Sequence, residues 1–389
     1  YHRSCICLQY STKRCQAAPQ RIAHLCFKFL IIFIPVTTSF GDESFKQNTM
    51  KNILLICFVA TLFFSCKQGS QDAVDAKAYF AQQDSGMQSG NVKFVEIESF
   101  GKKFKVWTKR FGNNPKTRIL LLNGGPGATH EYFECFESFL PQEGIEFIYY
   151  DQLGCGLSDK ANDTAYWDLP RFVEEVEQVR KALGLNKDNF YLLGHSWGGI
   201  LAMQYALKYQ DQMKALVISN MMSSCPDYGK YADEVLSKQF DKTVLDTLMA
   251  MEARNDFANP NYMGLLIPNF YEKHILRLPS AQWPEPVNRS LGKMNQSLYV
   301  TMQGPSEFGI AGRLTSWDVS KELKNINLPT LVIGAKHDTM DPEHMKWMAS
   351  QFKNGTYLYC ENGSHMSMYD DQQTYFKGLI GFVQGVEQK

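Results

Sequence analysis

The sequence lacks an excess of charge of either sign, because 40 Lys and Arg residues balance 40 Asp and Glu residues among 389. A nucleic-acid-binding protein normally carries a basic cluster or excess, so no nucleic-acid partner is expected. Internal repeats and long runs of one charge are also missing. With 44% hydrophobic residues, the composition is that of a globular protein with room for one large domain and an insertion.

Cysteine is sparse beyond residue 66, where only four remain: Cys135, Cys155, Cys225 and Cys360. Their spacing matches neither a metal-binding motif nor a disulfide framework. An exported protein could pair them, but the simpler expectation is buried free thiols. The cysteines therefore indicate no metal site.

A short apolar run at 53–64 follows Met50 and Lys51 and ends before Ser65 and Cys66. The run is too short to span a membrane, and its basic, apolar and small parts follow the order of a secretory signal. Cys66 after a small residue resembles the lipobox of bacterial lipoproteins. We expect an exported protein whose membrane contact is a lipid on Cys66; a plain signal peptide and a retained anchor are the alternatives.

This signal sets the expected N-terminal boundaries. We expect Met50 to be the true start and residues 1–49 to be translated upstream sequence, although the apolar run at 27–36 could be a second hydrophobic segment. Residues 50–65 would then be the signal peptide. The polar, small-residue-rich stretch 66–90 has the composition of a tether.

Short apolar runs alternate with helical patterns through most of the remaining chain. Two alternating stretches, 92–99 and 103–110, predict an antiparallel hairpin around Gly101, and 171–183 carries apolar residues at helical spacing. The further strands are expected at 118–122, 146–150, 190–193, 215–219, 330–334 and 356–359. This alternation predicts an α/β fold with a mostly parallel sheet and helices on both faces.

Residues 194–198 read Gly-His-Ser-Trp-Gly between a predicted strand and a predicted helix. A serine so placed is the nucleophile elbow of an α/β-hydrolase: a strained turn lifts its hydroxyl above the sheet, and close strand–helix approach excludes a Cβ at the glycines. The bare motif also occurs as an ordinary glycine turn, but its context favours catalysis. We therefore predict Ser196 as the nucleophile of an α/β-hydrolase core.

The alternation stops at 221–323, which is aromatic-rich, punctuated by proline and free of strand patterns. We interpret this insertion as a helical cap over the carboxyl edge of the sheet, where ligands bind. The alternative is an insertion that is only structural and has no role in substrate specificity. The core would then comprise residues 91–220 and 324–389.

A serine nucleophile requires a base, an orienting carboxylate and donors for the oxyanion. In this fold the chain order is Ser, acid, His, and Asp338 and His365 each follow a predicted strand. Asp341 is the alternative acid, and His337 and His344 are less favoured bases.

The glycine run 124–127 follows an early strand and contains Gly124-Gly125-Pro126-Gly127. Such a run is often only a turn, but its position before the elbow suits backbone donors that reach the reaction centre. We predict the N–H groups of Gly125 and Trp197 as the oxyanion hole.

These motifs resemble those of the proline iminopeptidase family of α/β-hydrolases. The similarity rests on 124–127, on Asp-Gln-Leu-Gly-Cys-Gly-Leu-Ser-Asp at 151–159, on Gly-His-Ser-Trp-Gly-Gly at 194–199 and on Gly-Pro-Ser-Glu-Phe at 304–308. It continues through Trp317-Asp318 and Gly363-Ser364-His365 and covers the chain from about residue 91 to its end. The runs at 151–159 and 304–308 are specific to this family; the elbow is not.

The resemblance implies a serine aminopeptidase that removes N-terminal residues, often proline, from peptides or cleaves amino-acid amides, without metal or cofactor. It also implies that Glu307 binds the substrate's α-ammonium group, since a carboxylate in a water-poor pocket needs a cationic partner. A structural ion pair is the alternative role for Glu307.

The sequence departs from the family pattern at two positions. Asn123 stands where a histidine usually begins the glycine run, and Thr339 stands where some relatives carry a second glutamate after the catalytic aspartate. With one carboxylate fewer, the requirement for a free amine should weaken, unless Asp341 or Glu252 compensates.

Two other functions remain open from the sequence. An esterase or lactonase would use the same triad on a neutral substrate. A ligand-binding protein without catalysis is disfavoured by the intact serine, acid, histidine and glycine run.

Overall fold

The computed structural model describes residues 89–388, in which eight strands form one sheet. The strands are β1 (Val92–Ser99), β2 (Lys102–Phe111), β3 (Arg118–Leu122), β4 (Glu146–Tyr150), β5 (Phe190–His195), β6 (Ala215–Ser219), β7 (Pro329–Ala335) and β8 (Asn354–Cys360). Their order is β1-β2-β4-β3-β5-β6-β7-β8. The β1–β2 and β2–β4 pairs are antiparallel and the other pairs are parallel, which confirms the predicted mostly parallel sheet.

The helices of the described residues lie between or after these strands in the chain. They are α1 (Leu169–Ala182), α2 (Trp197–Tyr209), α3 (Cys225–Tyr231), α4 (Lys242–Ala253), α5 (Pro260–Leu266), α6 (Glu285–Gly292), α7 (Gln296–Met302), α8 (Pro342–Gln351), α9 (Ser367–Asp370) and α10 (Gln372–Glu387), with a single turn at Glu272–His274. The predicted helix at 171–183 corresponds to α1.

Both faces of the sheet are buried, because successive residues of its central strands enter opposite cores. Leu120 and Leu122 of β3 belong to a cluster with side chains of α1, α2 and α8. Ile119 and Leu121 belong to a second cluster with α10 and the 3-10 stretch His130–Ser138. Burial on both sides explains why the strands read as continuous apolar runs in the sequence.

Between β6 and β7 the described chain is helical, from α3 to α7, and includes π-helical turns at Ala232–Leu236 and Ile267–Tyr271. Part of this segment has its own apolar cluster, centred on Leu236, Leu266 and Phe270. Its two ends meet at an isolated antiparallel bridge between Ser224 and Asp318. The insertion therefore leaves and rejoins the core at neighbouring points.

The predicted upstream segment 1–49, the signal peptide 50–65, the lipidated Cys66 and nearly all of the tether lie outside the described residues. From residue 89 to residue 388, no helix has both the length and the apolar character needed to cross a membrane. The four later cysteines are free thiols; Cys135 is half-buried and the other three are buried.

Candidate active site

The elbow at Ser196 has the strained backbone that the sequence predicts. Ser196 has φ 56° and ψ −127° and directly precedes α2. A Cβ on Gly194 would lie 1.9 Å from the Gly198 carbonyl oxygen, and one on Gly198 would lie 2.1 Å from the Leu122 carbonyl oxygen. Because neither backbone atom can move aside cheaply, both positions require glycine.

Asp338 and His365 meet from the loops that follow β7 and β8. The His365 Nδ1 atom lies 2.7 Å from Asp338 Oδ1, and both side chains are buried. Burial acts to lower the pKa of His365, but the Asp338 carboxylate outweighs this effect and the net direction is upward. Since a carboxylate accepts the Nδ1–H, the unprotonated Nε2 atom of the neutral ring is the one left to act as a base.

The second ring nitrogen of His365, Nε2, makes no hydrogen bond within the described part of the chain. Its Nε2 atom is buried and has no hydrogen-bond partner among residues 89–388. Ser196 and His365 border the same cavity, although no Ser196–His365 hydrogen bond is formed in this conformation. Such bonds are often long in unliganded enzymes and shorten when substrate binds.

Three donors besides His365 lie within hydrogen-bonding distance of the Asp338 carboxylate. Its Oδ1 atom accepts the Met340 N–H at 3.1 Å and lies 3.4 Å from the Thr339 hydroxyl. Its Oδ2 atom accepts the Asn220 side-chain amide at 2.7 Å. The carboxylate orientation is therefore fixed independently of His365.

The glycine run approaches Ser196 closely. A Cβ on Gly124 would lie 2.9 Å from the Ser196 Cβ atom, and Gly125 has φ 106°. The Gly124 N–H donates to the Tyr132 hydroxyl at 2.7 Å, so this donor is already engaged. Trp197 is the first residue of α2, where an N–H has no partner within the helix. With the Gly124 N–H engaged, the N–H groups of Gly125 and Trp197 remain the predicted oxyanion donors, and Gly125 borders the same cavity as Ser196.

His195, which precedes Ser196, connects the glycine run to His365. His195 Nδ1 lies 3.1 Å from the Tyr132 hydroxyl, and its Nε2 atom lies 2.8 Å from the His365 carbonyl oxygen. Because that carbonyl only accepts, Nε2 carries the proton and Tyr132 donates to Nδ1. Burial lowers the pKa of His195 to about 3, which keeps this connection neutral.

Gln152, from the run at 151–159, joins the elbow to the strand that precedes the glycines. Its Oε1 atom accepts the Trp197 indole N–H at 2.9 Å, and its Nε2 atom lies 3.2 Å from both the carbonyl and the side-chain oxygen of Asn123. Asn123 in turn donates its side-chain amide to the Ala128 carbonyl. Asn123 therefore supports the glycine run at the position where relatives usually have histidine.

A cavity of about 500 Å³ lies between the catalytic loops and the cap. Gly125, Ser196 and His365 border it on the core side, and Glu307 borders it on the cap side. Most of the remaining wall is apolar or aromatic, and includes Phe257, Tyr262, Met263, Ile267, Trp283 and Met294. A cavity of this size and character with few polar groups is typical of a binding site for a small organic molecule.

Glu307 is surrounded by tyrosine hydroxyls. Tyr299 donates to its Oε1 atom at 2.6 Å, Tyr228 donates to its carbonyl at 2.6 Å, and its N–H donates to the Tyr271 hydroxyl at 3.1 Å. Burial raises the pKa of Glu307, and the nearby His365 only partly offsets this rise. No basic side chain of the described part pairs with this carboxylate, which argues against the structural ion pair considered above.

The structure separates the alternative carboxylates from the cavity. Asp341 accepts the Glu343 N–H at 2.9 Å and begins α8. Glu252 accepts the Tyr262 hydroxyl at 2.7 Å, behind the cavity wall. Thr339 is buried and lies 3.3 Å from His365 Nδ1. Thr339, at the position where some relatives carry a second glutamate, therefore lies beside the His365 side chain.

The alternative histidines also lie apart from Ser196. His337 is half-buried and outside the cavity wall. His344 lies 3.0 Å from the Ser223 hydroxyl and is mostly buried. In residues 89–388 no group of His, Cys, Asp and Glu side chains is arranged to hold a metal ion.

Several polar residues of the site escaped the sequence reasoning. Tyr132 accepts the Gly124 N–H across only eight residues, whereas the bonds of His195 to the His365 carbonyl and of Asn220 to Asp338 span 170 and 118 residues. Spacing along the sequence carries no signal for the last two contacts. Only the position of Asn220, directly after a predicted strand, would have suggested a place at the catalytic edge.

Comparison with known proteins places this geometry in a wider context. Residues 117–372 match the alpha/beta hydrolase fold family. A proline iminopeptidase of Flavobacterium johnsoniae is 57% identical over 284 residues, which cover 73% of this chain and 95% of that protein. A proline iminopeptidase of Chitinophaga pinensis is 55% identical over 283 residues, with coverages of 73% and 95%.

Two solved structures are also similar to this chain. The crystal structure of the proline iminopeptidase of Mycobacterium smegmatis is similar with a TM-score of 0.67 and 26% identity, over 76% of this chain and 99% of that one. The crystal structure of VinJ is similar with a TM-score of 0.70 and 26% identity, over 75% and 98% of the two chains.

Proposed function

Because this chain belongs to the proline iminopeptidase family of serine aminopeptidases within the α/β-hydrolase superfamily, we propose that it releases N-terminal residues, proline among them, from short peptides or amino-acid amides through an acyl-enzyme on Ser196. The observation that carries the proposal is the Asp338–His365 pair at a cavity bordered by Ser196 and, opposite, by the Glu307 carboxylate.

The first half of the reaction forms the acyl-enzyme. The Ser196 hydroxyl attacks the scissile carbonyl while His365 Nε2 takes its proton, and Asp338 stabilises the imidazolium through Nδ1–H. The Gly125 and Trp197 N–H groups stabilise the oxyanion, helped by the positive end of the α2 dipole. His365 then gives its proton to the leaving amine, and the C–N bond breaks.

The second half releases the product by the same groups. Water attacks the acyl carbonyl while His365 Nε2 accepts its proton, and the tetrahedral oxyanion returns to the same backbone donors. Collapse breaks the bond to Ser196 Oγ, which regains the proton from His365. The product leaves with a free amine and a free carboxylate.

Glu307 supplies the recognition of the substrate N-terminus in this proposal. Its Oε1 atom is bonded to Tyr299, and no described residue is hydrogen-bonded to Oε2. A half-buried carboxylate without a cationic partner is costly, and an α-ammonium group would pair with it. Because the α-amine lies two bonds from the scissile carbonyl, a carboxylate across the cavity from Ser196 selects the first peptide bond.

The test is Glu307→Gln, which keeps the shape of the side chain and removes its charge. We expect kcat/KM for a free-amine prolyl anilide to fall about tenfold to a hundredfold, the equivalent of a charge-assisted contact of roughly 1.5–3 kcal/mol. Acetylated substrates and simple esters should be nearly unaffected. The measurement is a chromogenic panel of prolyl anilides with free and blocked amines, beside simple esters.

Glu252→Gln is the matched control, because Glu252 is also a half-buried cap carboxylate bonded to a tyrosine but lies outside the cavity wall. It should leave the preference for a free amine unchanged. A uniform loss in Glu307→Gln, or a wild-type preference for blocked amines, would favour the esterase alternative. Since Thr339 supplies no second carboxylate, we expect a real but incomplete preference for the free amine.

We also propose that the protein is exported and anchored by a lipid on Cys66. The support is the signal-like order of residues 50–65 and the cysteine that follows a small residue. Cys66→Ser should move the protein from the membrane fraction to the soluble fraction or block processing, as measured by fractionation and by the mass of the mature N-terminus. A cytoplasmic protein that retains residues 1–65 would contradict this.

A further inference from the structure

We propose that Asn220 is the positioning residue that fixes the acid and the base of the triad relative to each other. This inference rests on the roles proposed above for Asp338 and His365. Asn220 immediately follows β6, is fully buried and has φ 54°. Asparagine tolerates this left-handed conformation better than most residues do.

All hydrogen-bonding positions of the Asn220 amide are used. Its Nδ2 atom donates to Asp338 Oδ2 at 2.7 Å and to the Ser364 carbonyl at 3.1 Å. Its Oδ1 atom accepts the hydroxyls of Ser219 at 2.8 Å and Ser367 at 3.0 Å. The opposite orientation of the amide, with its oxygen and nitrogen exchanged, is excluded. It would turn the oxygen toward the Asp338 carboxylate and the Ser364 carbonyl, which only accept hydrogen bonds.

The bonds of Asn220 reach the two loops that carry the acid and the base. Asp338 lies in the loop after β7, and Ser364 immediately precedes the catalytic His365. The backbone N–H of Asn220 also donates to the Ile333 carbonyl of β7 at 2.8 Å. Through its backbone and its side chain, one residue therefore ties the ends of β6 and β7 and the loop after β8 together.

The contact with Asp338 has no substitute. The Oδ1 atom of Asp338 receives His365 and the Met340 N–H, whereas Oδ2 is hydrogen-bonded, among residues 89–388, to Asn220 alone. Without Asn220, Oδ2 would be a buried charged acceptor without a donor. The carboxylate would rotate or reach for another donor, and the His365 ring would lose its fixed direction.

The test compares Asn220→Gly with Asn220→Asp. Glycine removes the amide and suits φ 54°, so backbone strain does not confuse the result. We expect Asn220→Gly to lower kcat for a prolyl anilide about tenfold to a hundredfold with KM changed less than about twofold. The rate at which diisopropyl fluorophosphate modifies Ser196, with loss of fluoride, should fall in parallel, because it depends on the same base.

Asn220→Asp keeps the volume and provides a readout that a merely structural role would not give. Two carboxyl groups this close share a proton, and the protonated one can donate to Asp338 Oδ2. The kcat of this variant should lie between those of wild type and Asn220→Gly, and should fall as the pH rises and the shared proton is lost. If thermal melting shows that Asn220→Gly does not fold, the pH profile of Asn220→Asp tests the proposal by itself.

Asn114→Gly is the matched control, because Asn114 also makes two side-chain bonds, to Gly144 and Lys116, far from the cavity. It should retain wild-type kcat. An Asn220→Gly enzyme with wild-type kcat and modification rate, or an Asn220→Asp profile parallel to that of wild type, would overturn the proposal. A wild-type enzyme that ignores prolyl anilides, yet is modified at Ser196 faster than Asn220→Gly, would instead refute the proposed substrate.

Discussion

Replacing Ser196 by alanine should lower kcat by about 10⁴- to 10⁶-fold and leave the fold intact, because only the nucleophile is lost while binding and the oxyanion donors remain. The strained backbone at this position is already part of the native structure, so we expect a stability change of less than about 1 kcal/mol. The measurements are anilide turnover by pure variant and the thermal midpoint by circular dichroism.

Ser350→Ala, on the exposed face of α8, serves as the control for the loss of a serine hydroxyl and should keep full activity. His365→Ala should be about as damaging as Ser196→Ala, and the double variant should be hardly worse than either, because the two residues act as a unit. Wild-type turnover by Ser196→Ala, with contamination excluded, would refute the assignment of the nucleophile.

Replacing Asp338 by asparagine should lower kcat by about 10⁴-fold with KM nearly unchanged, because an amide donor facing Nδ1 holds the imidazole in the wrong tautomer. The pH profile should also change. Burial lowers the pKa of His365 and the Asp338 charge raises it on balance, so removing the charge should lower this pKa. Since the base must be unprotonated, the acidic limb of kcat/KM should move to lower pH.

Asp341→Asn is the corresponding control. Asp341 caps α8 by accepting the Glu343 N–H, and asparagine is an equally good cap, so stability should change by only a few tenths of a kcal/mol. Its turnover should match that of wild type. If Asp341→Asn were the damaging substitution and Asp338→Asn the harmless one, the acid would be wrongly assigned.

The nucleophile elbow and the sheet could be predicted from the sequence because their signals are local. A Cβ on Gly194 would meet the Gly198 carbonyl oxygen of the same turn, and one on Gly198 would meet the Leu122 carbonyl oxygen of β3. Both glycines belong to the turn at Ser196, so each stands two positions from it in the chain. The central strands are buried on both faces. Because burial favours apolar side chains, each of these strands appears in the sequence as an apolar run. Asp338 and His365 could be nominated because each follows such a run.

The contacts that give those residues their geometry are not local. Asn220 and Asp338 are 118 positions apart, and His195 and the His365 carbonyl are 170 apart. No spacing rule relates such pairs, since their distance depends on how neighbouring strands align in the sheet. Likewise, Glu252 and Glu307 are both cap carboxylates in the sequence, and only the packing of the cap brings Glu307 to the cavity.

The sequence by itself determined the α/β-hydrolase core, the family and the nomination of Ser196, because glycine positions, strand periodicity and motif order are properties of neighbouring residues. The tertiary structure decided which carboxylate pairs with His365, which one borders the cavity and which side-chain amide is hydrogen-bonded to Asp338. Those choices depend on side chains from separate loops converging at the carboxyl edge of one sheet, where hydrogen bonds of about 3 Å discriminate between residues that look equivalent along the chain.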